Sequence, residues 1–362
     1  MGNLYIHFPF CRNKCGYCAF YSVAAPAQEN IDDYLRRLEE ELARTFFPEA
    51  ETLYLGGGTP TLPGEKHLER LFSLLKKYIP LAPDAEVSIE ANPETLDPGK
   101  VGLMRDFATR VSLGVQSFSA AKRERLGRVC SDAALGNALN LISRAGFAHW
   151  NCDFIYAAPG DDEASYREEF SRIADYPVDH LSCYALTPEE GSRLGGDYPV
   201  DDELADKLWD LSEVYAEKYL GMKRYEISNY AKPGGECRHN RNVWKGGLLL
   251  GFGPSASSFD GIDRFTQKSD LAAWLAGAPP EYDRIEKVRR LNEIFAVNLR
   301  TAQGWSRDDW EKVPRADDWK IRQNAAENLQ KRFPGIILYG NDFIRLTRNG
   351  LRFWNTVAEE LL

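Results

Sequence analysis

Short apolar segments alternate with amphipathic segments along the first 190 residues. After the first apolar run, Ile31, Leu35 and Leu38 recur at helical spacing among charged residues, which is typical of an amphipathic helix. This alternation repeats, and strands alternating with helices form βαβ units around a parallel sheet. Six such units are fewer than the eight of a closed barrel, so the sequence predicts an α/β fold, a partial (β/α)6 barrel of the TIM type. The predicted strands are LYIHF (4–8), TLYLG (52–56), EVSIEAN (86–92), RVSLGVQSF (110–118), HWNCDFIYAAPG (149–160) and VDHLSCYAL (178–186).

The pattern changes after residue 190. A strongly amphipathic helix is predicted at 201–220 and a strand at 223–231, followed by a glycine-rich segment at 232–257. PPEYDR (279–284) is typical of a linker, and GIILYGNDFIRLT (335–347) predicts a hairpin because a Gly-Asn-Asp turn separates two apolar runs. The predicted units are an α/β core at 1–220, a connecting segment at 221–278, and a small winged-helix-like α+β module at 279–362.

Composition excludes several classes of protein. The net charge of -9, with acidic and basic residues mixed on the same helices, argues against nucleic-acid binding. No run of about 18 apolar residues predicts a membrane span. The N-terminus has no basic flank before an apolar stretch, so we expect no signal peptide and a cytoplasmic protein. Seven cysteines are then expected as reduced thiols rather than disulfides.

Three of the cysteines form a motif. Cys11, Cys15 and Cys18 have the spacing Cys-x3-Cys-x2-Cys on a loop after the first strand, and thiolates bind zinc or iron–sulfur clusters. One alternative is a structural zinc site in which His7 is the fourth ligand. We favour a four-iron cluster with three anchored irons and one open iron that binds a substrate or cofactor. The other four cysteines are far apart, and we expect small buried apolar side chains there: Cys130, Cys152, Cys183 and Cys237.

Polar residues and glycines follow several of the predicted strands. GGGTP occupies 56–60, Glu90 and Gln116 lie near strand ends, and Asp153 lies inside its strand. The carboxyl ends of parallel strands meet at one face of the sheet and hold the site in such folds. We therefore expect these residues at the same opening as the cysteine loop.

These motifs resemble the radical S-adenosylmethionine superfamily, and within it the family of oxygen-independent coproporphyrinogen III oxidases and related heme chaperones. The resemblance covers nearly the whole chain, in this order: YIHFPFC, the cysteine triad, GGGTP, SIEANPETL, RVSLGVQSF, LGRVCS and YEISNYAKPG. It implies a radical S-adenosylmethionine barrel and a [4Fe-4S] cluster on Cys11, Cys15 and Cys18. The amino and carboxylate groups of S-adenosylmethionine would chelate the fourth iron.

The resemblance also implies roles for other residues. Tyr17 would pack near the adenine, Tyr5 would face the cofactor, and Glu90 would accept from an amine or a ribose hydroxyl. Backbone N–H groups and close approach to the methionine end would come from Gly57, Gly58 and Thr59. Positions for a second S-adenosylmethionine correspond to Gln116, Arg128 and Asp153. The alternatives are a simple tight turn for GGGTP, a solvated strand end for Glu90, and an ion pair between Arg128 and Asp153.

One position separates the two branches of the family. Phe20 stands where the oxidase branch has a further cysteine, and the RHN-x3-W segment at 238–244 also resembles the chaperone branch. There His239 could ligate heme iron, with Cys237 as a second candidate, or it could be a hydrogen-bonded histidine in a loop. Two departures weaken the heme assignment: Val243 replaces a tyrosine, and Cys130 stands where the branch has histidine.

Two hypotheses follow from the resemblance. The first is a heme chaperone that binds a cluster, S-adenosylmethionine and heme, and delivers heme to acceptor proteins. The second is a radical enzyme of porphyrin biosynthesis that decarboxylates a porphyrinogen and receives electrons from a donor such as flavodoxin or ferredoxin. A structural metal site on an α/β scaffold is a third alternative.

Overall fold

The fold is described from a computed structural model over residues 2–47, 49–187, 192–195 and 200–362. Its strands are β1 (Gly2–Phe8), β2 (Phe10–Cys11), β3 (Val23–Ala24), β4 (Ala50–Gly57), β5 (Leu81–Ala91), β6 (Arg110–Gln116), β7 (His149–Tyr156), β8 (His180–Ala185), β9 (Lys223–Arg224), β10 (Asn229–Ala231), β11 (Leu249–Phe252), β12 (Ser257–Phe259), β13 (Arg264–Thr266), β14 (Glu281–Asp283), β15 (Trp305–Ser306), β16 (Ile337–Tyr339) and β17 (Phe343–Leu346).

The helices follow the strands in the order that the sequence predicts for βαβ units. They are α1 (Gln28–Arg44), α2 (Glu65–Tyr78), α3 (Pro98–Arg105), α4 (Ala120–Arg125), α5 (Asp132–Ala145), α6 (Glu163–Ile173), α7 (Asp202–Leu220), α8 (Arg238–Trp244), α9 (Leu271–Leu275), α10 (Lys287–Asn298), α11 (Arg307–Glu311), α12 (Trp319–Arg332), α13 (Arg348–Arg352) and α14 (Trp354–Leu361). Within the described ranges, no helix is long and apolar enough to cross a membrane.

One large sheet dominates the fold. Its strand order is β14-β13-β12-β11-β1-β4-β5-β6-β7-β8-β10-β9. The six predicted strands, β1 and β4 to β8, are consecutive neighbours in parallel register, which confirms the partial (β/α)6 barrel. β11, from the glycine-rich segment, adds a further parallel strand to the free side of β1.

The two faces of the parallel strands differ in chemistry. Along β6, Val111 and Leu113 belong to the apolar core, whereas the alternate residues Ser112 and Gln116 line a cavity inside the curved sheet. Strand geometry causes this division, because successive side chains point to opposite faces. The outer face packs against the helices and the inner face is mostly polar, so the barrel has a polar interior.

Two predictions from the sequence are wrong in detail. The strand predicted at 223–231 is two short antiparallel strands, β9 and β10. The buried carboxylate of Glu226 interrupts it by accepting from the backbone N–H of Ser228 at 2.7 Å and the amide of Asn229 at 2.6 Å. The linker predicted at 279–284 contains β14, which pairs with β13 at the sheet edge. Tyr282 is held there against Phe265, with ring centroids 5.2 Å apart.

The C-terminal segment forms a small α+β unit. Helices α10 to α14 pack on a three-stranded sheet in the order β15-β17-β16, and the predicted hairpin is β16–β17. Phe295, Trp305 and Trp310 form the centre of its core. Arg300 joins this unit to the barrel, because its Nε donates to the buried Glu226 carboxylate at 2.8 Å. The division of the chain into three domains stays a prediction.

Candidate functional site

A cavity of about 640 Å³ opens at the carboxyl ends of the parallel strands. Most of the residues singled out by the sequence line it: Cys11, Cys15, Tyr17, Cys18, Gly57, Gly58, Thr59, Glu90, Gln116, Arg128 and Asp153. Tyr5 and His239 are not among the described residues that line it. The topology therefore brings segments far apart in sequence to one opening, as expected for a parallel α/β fold.

The cysteine loop connects β2 to β3 and lies across this opening. Its three cysteines are free thiols and half-buried. The loop is anchored to the barrel, because the N–H of Gly16 donates to the carbonyl of Leu126 at 2.9 Å and its carbonyl accepts from Leu194 at 2.9 Å. Tyr17 packs with Leu194 in a small apolar cluster. This anchoring fixes the base of the loop and leaves the thiols facing the cavity.

The zinc alternative with His7 as fourth ligand does not fit the structure. The Nδ1 atom of His7 lies 3.0 Å from the Tyr5 hydroxyl, and its Nε2 atom lies 3.0 Å from the carbonyl of Tyr21. Both ring nitrogens are thus engaged within the protein. Among the described residues, no three His, Cys, Asp or Glu side chains are arranged to hold a single metal ion.

The cysteine sulfurs receive hydrogen bonds, which suits thiolate ligands. The hydroxyl of Thr59 donates to the Sγ of Cys11 at 3.7 Å, and Nη1 of Arg128 donates to the Sγ of Cys15 at 3.6 Å. Donors to sulfur stabilise the negative charge that a metal-bound thiolate carries, and they are a general feature of iron–sulfur sites. Three free thiols with two such donors therefore fit an iron–sulfur cluster.

The glycines of the GGGTP segment let the backbone pass close to neighbouring groups, and the N–H groups of this segment already have partners within the protein. The N–H of Gly57 donates to the Glu90 carboxylate at 3.1 Å, that of Gly58 to a carbonyl at 2.7 Å, and that of Thr59 to the carbonyl of Phe10 at 2.7 Å. These N–H groups therefore have partners within the protein, and their role towards a ligand stays a prediction. Gly57 has φ +103°, and a Cβ there would lie 2.6 Å from the His7 ring.

Glu90 is half-buried and hydrogen-bonded, contrary to the alternative of a solvated strand end. It accepts from the Tyr54 hydroxyl at 2.9 Å and from the N–H of Gly57. Burial raises the pKa of Glu90 to about 7, and the nearby charge of Asp153 adds to this, while the two hydrogen bonds oppose it. Glu90 therefore presents an acceptor whose charge changes near neutral pH.

Asp153 has neutral partners. Its carboxylate accepts from the hydroxyl of Ser112 at 3.0 Å and from the amide of Asn151 at 2.8 Å, and burial raises its pKa. The alternative of an ion pair with Arg128 is wrong, because the guanidinium donates to the side-chain oxygen of Asn92 and lies 4.0 Å from Glu94. The strands fix this outcome, since Ser112, Asn151 and Asp153 share the inner face of adjacent strands.

Gln116 has a backbone conformation that is rare for its residue type. Its φ is +63° at the end of β6, where it lines the cavity. Non-glycine residues with positive φ cost free energy and persist where the surrounding structure holds them, often at functional sites. This observation supports Gln116 as a ligand-facing residue.

The residues assigned to heme lie deeper in the barrel. His239 is buried, and its Nδ1 lies 2.8 Å from the Thr52 hydroxyl; burial lowers its pKa to about 4. Cys237 lines the cavity, and burial raises its pKa to about 12 beside Glu86. Neither residue is a surface group of a loop, and heme ligation by either one stays a prediction.

Sequence reasoning missed several polar residues of the cavity. Asn92, Asn151, His180 and Ser182 all line it, and the His180 ring bridges the side-chain oxygen Oδ1 of Asn151 at 2.6 Å and the hydroxyl of Tyr225 at 2.8 Å. The signal was present in the alternation of polar residues within the strands HWNCDFIY and VDHLSCYAL. The other cysteines match the expectation more closely, because Cys152 and Cys183 are buried in the core and Cys130 is half-buried.

Comparisons with known proteins agree with this fold. The sequence model of the Radical SAM superfamily matches residues 5–175, which include the cysteine loop and GGGTP. The structure of coproporphyrinogen III oxidase (HemN) from Escherichia coli, a radical SAM enzyme, superposes with a TM-score of 0.83. It has 22% identity and covers 99% of this chain and 89% of that chain, so it shows the shared fold.

Full-length relatives narrow the assignment from the superfamily to one family. A heme chaperone HemW from Mycobacterium tuberculosis is 38% identical over 99% of this chain and 94% of its own length. A heme chaperone HemW from Escherichia coli K12 is 32% identical over 99% of this chain and 98% of its own length. The chain therefore belongs to the HemW family of the radical SAM superfamily.

We predict that Gly57→Ala destabilises the protein. The substitution forces a side chain into positive φ and places its Cβ against the His7 ring, so the free energy of unfolding should fall by about 2 kcal/mol or more. Gly64→Ala is the matched control, because nothing lies within 4 Å of its Cβ. Urea unfolding followed by circular dichroism measures the free energy of unfolding of both variants, and equal stability of the two would contradict the prediction.

Proposed function

We propose that this protein is a heme chaperone that holds a [4Fe-4S] cluster and S-adenosylmethionine in the barrel cavity and passes heme to acceptor proteins. The observation that carries the proposal is one cavity shared by three free thiols, the GGGTP turn, Glu90 and Gln116. The names of its full-length relatives, heme chaperone HemW, supply the heme and delivery steps. Cytoplasmic location belongs to the same proposal.

Cys11, Cys15 and Cys18 would hold the cluster, since they are free, half-buried and placed together on the cavity wall. When bound, the cluster supplies single-electron chemistry to S-adenosylmethionine. The protein supports the thiolates through the donors on Thr59 and Arg128. A donor protein such as flavodoxin or ferredoxin would be needed if the cluster is reduced during the cycle.

The S-adenosylmethionine would lie between the cysteine loop and the strand ends. Its ammonium and ribose hydroxyls are donors, and the half-buried carboxylates Glu90 and Asp153 are acceptors on the cavity wall. Tyr17, on the cysteine loop, offers an aromatic face for the adenine. Since Tyr5 binds His7 through its hydroxyl, its role is to support the glycine turn from behind.

Heme would bind at the outer rim of the cavity. Phe20 and Tyr184 both line the cavity, yet 68% and 43% of their surfaces are exposed. Exposed aromatic side chains beside a concave site are typical of a surface for a flat, apolar ligand. Phe20 is also the residue that separates the two branches of the family in sequence.

We expect Cys15→Ala to abolish the cluster. Anaerobic reconstitution should give a brown wild-type protein with about four irons per chain, whereas the variant lacks one of three ligands and should lose most of its iron and visible absorbance. Cys130→Ala is the matched control, because Cys130 lies outside the triad, and it should retain full iron. A colourless wild-type protein that binds one zinc would refute the cluster.

We predict a pH dependence of S-adenosylmethionine binding that originates in Glu90. Its pKa of about 7 lies above the ordinary value, so its acceptor charge is present above pH 7 and lost as the pH falls. Affinity should weaken by up to about tenfold per pH unit between about pH 7 and pH 5.5. Isothermal titration calorimetry of cluster-loaded protein with S-adenosylmethionine measures the affinity at each pH.

Two variants test whether the pH dependence of S-adenosylmethionine binding originates in Glu90. Glu90→Gln should bind less tightly and lose most of the dependence. Asp153→Asn should move the midpoint to lower pH, because the Asp153 charge contributes to raising the pKa of Glu90, while Tyr54 and Gly57 still donate to it. An unchanged pH profile in Glu90→Gln would contradict the assignment.

Heme binding is tested by titrating the protein with hemin and following the Soret band. Phe20→Ala should weaken saturable binding by about tenfold, because loss of one stacked aromatic ring costs about 1.5 kcal/mol. Phe46→Ala is the matched control, since Phe46 is 90% exposed just after α1 and is not on the described cavity wall. Normal binding by Phe20→Ala with loss of binding in His239→Gln would place heme at the deeper site instead.

Release of carbon dioxide from coproporphyrinogen III would favour the oxidase hypothesis.

A further inference from the structure

A chain of hydrogen bonds connects two of the three cluster cysteines through a single amide, that of Asn92. Its Nδ2 donates to the Thr59 hydroxyl oxygen at 2.7 Å, and that hydroxyl donates to the Sγ of Cys11. Its Oδ1 accepts from Nη2 of Arg128 at 2.9 Å, and Nη1 of the same guanidinium donates to the Sγ of Cys15. Asn92 therefore contacts both groups that donate to cysteine sulfur.

The chemistry of the partners fixes the orientation of this amide. A guanidinium has donors and no acceptor, so the amide oxygen must face Arg128 and the NH₂ group must face Thr59. The Thr59 oxygen then accepts from the amide, and its single proton is free to point at Cys11. A carboxylate at position 92 would instead accept that proton and remove the donor from the sulfur.

The backbone of Asn92 is held independently of its side chain. Its carbonyl accepts from the N–H of Thr95 at 3.0 Å and from the Thr95 hydroxyl at 2.7 Å. That hydroxyl lies 2.7 Å from the hydroxyl of Thr61, and Lys100 donates to the carbonyls of both threonines. Changes to the Asn92 side chain should therefore leave the fold of this turn intact.

We propose that Asn92 is a positioning residue that directs the Thr59 and Arg128 donors onto the sulfurs of Cys11 and Cys15, and that it thereby raises the reduction potential of the cluster. The proposal rests on the cluster of the proposed function. Hydrogen bonds to thiolate sulfur stabilise the reduced, more negative state of an iron–sulfur site. Losing them shifts the potential to more negative values.

The first experiment is a redox titration of reconstituted protein, monitored by electron paramagnetic resonance. Asn92→Ala should shift the midpoint potential to a more negative value, and Thr59→Val, which removes the Cys11 donor alone, should shift it less. In the Asn92→Ala background, Thr59→Val should have a smaller effect than in the wild type. Asn137→Ala is the matched control, because Asn137 is exposed on α5 and is not among the described residues that line the cavity, and it should leave the potential unchanged.

A second measurement needs no cluster and so separates this proposal from the proposed function. Metal-free protein is alkylated with iodoacetamide and the rate at each cysteine is read by mass spectrometry. Asn92→Ala should slow alkylation of Cys11 and Cys15 severalfold relative to Cys18, because donors stabilise the reactive thiolate. Asn92→Asp should slow Cys11 more than Cys15. Unchanged potential at full iron content, or equal slowing at all three cysteines, would overturn the proposal.

Discussion

The alternation of side chains along parallel strands is the constraint on which this site depends. Every second residue of β4 to β8 points into the barrel, and most of those residues are polar. A buried polar group without a partner costs about 1–3 kcal/mol, so the inward-facing side chains must satisfy one another. The network from Asp153 through Asn151 to His180 and Tyr225 is the result. The interior is therefore fixed before any ligand enters.

This constraint divides the cavity into a rigid interior and an adaptable rim. Deep in the barrel, Glu86 accepts from Arg110 at 3.0 Å and from the backbone N–H groups that start α8, so its charge is compensated. At the rim, the cysteine loop is anchored at Gly16 while Phe20 stays exposed. Between these zones Gln116 has a positive φ, which costs free energy for a non-glycine residue, and Gly57 has a positive φ that glycine permits. The arrangement is consistent with small ligands held inside and a larger ligand held at the rim.

The sequence predicted the parts of this structure that depend on local pattern. The six strands and the hairpin at 335–347 follow from runs of apolar residues, and the position of the cysteine loop follows from strand order. The partners within the cavity could not be predicted, because periodicity assigns a side chain to a face without naming its neighbour. An ion pair of Asp153 with Arg128 was one alternative from the sequence, yet the register of β6 and β7 places Ser112 and Asn151 nearer. β14 was missed because its three residues are held by pairing with β13 rather than by their own propensity.

The position of His239 bears on how a heme chaperone could use this fold. Its backbone N–H donates to the Glu86 carboxylate at 2.9 Å, its ring centroid lies 5.1 Å from that of Tyr54, and the Tyr54 hydroxyl in turn donates to Glu90. Heme ligation there would disturb contacts that also hold Glu90, the acceptor for S-adenosylmethionine in the proposed function. A rim site at Phe20 leaves those contacts intact and allows both ligands to be bound together. Direct competition between heme and S-adenosylmethionine would then be weak, and any coupling between them would pass through the cysteine loop that carries Phe20, Cys15 and Cys18.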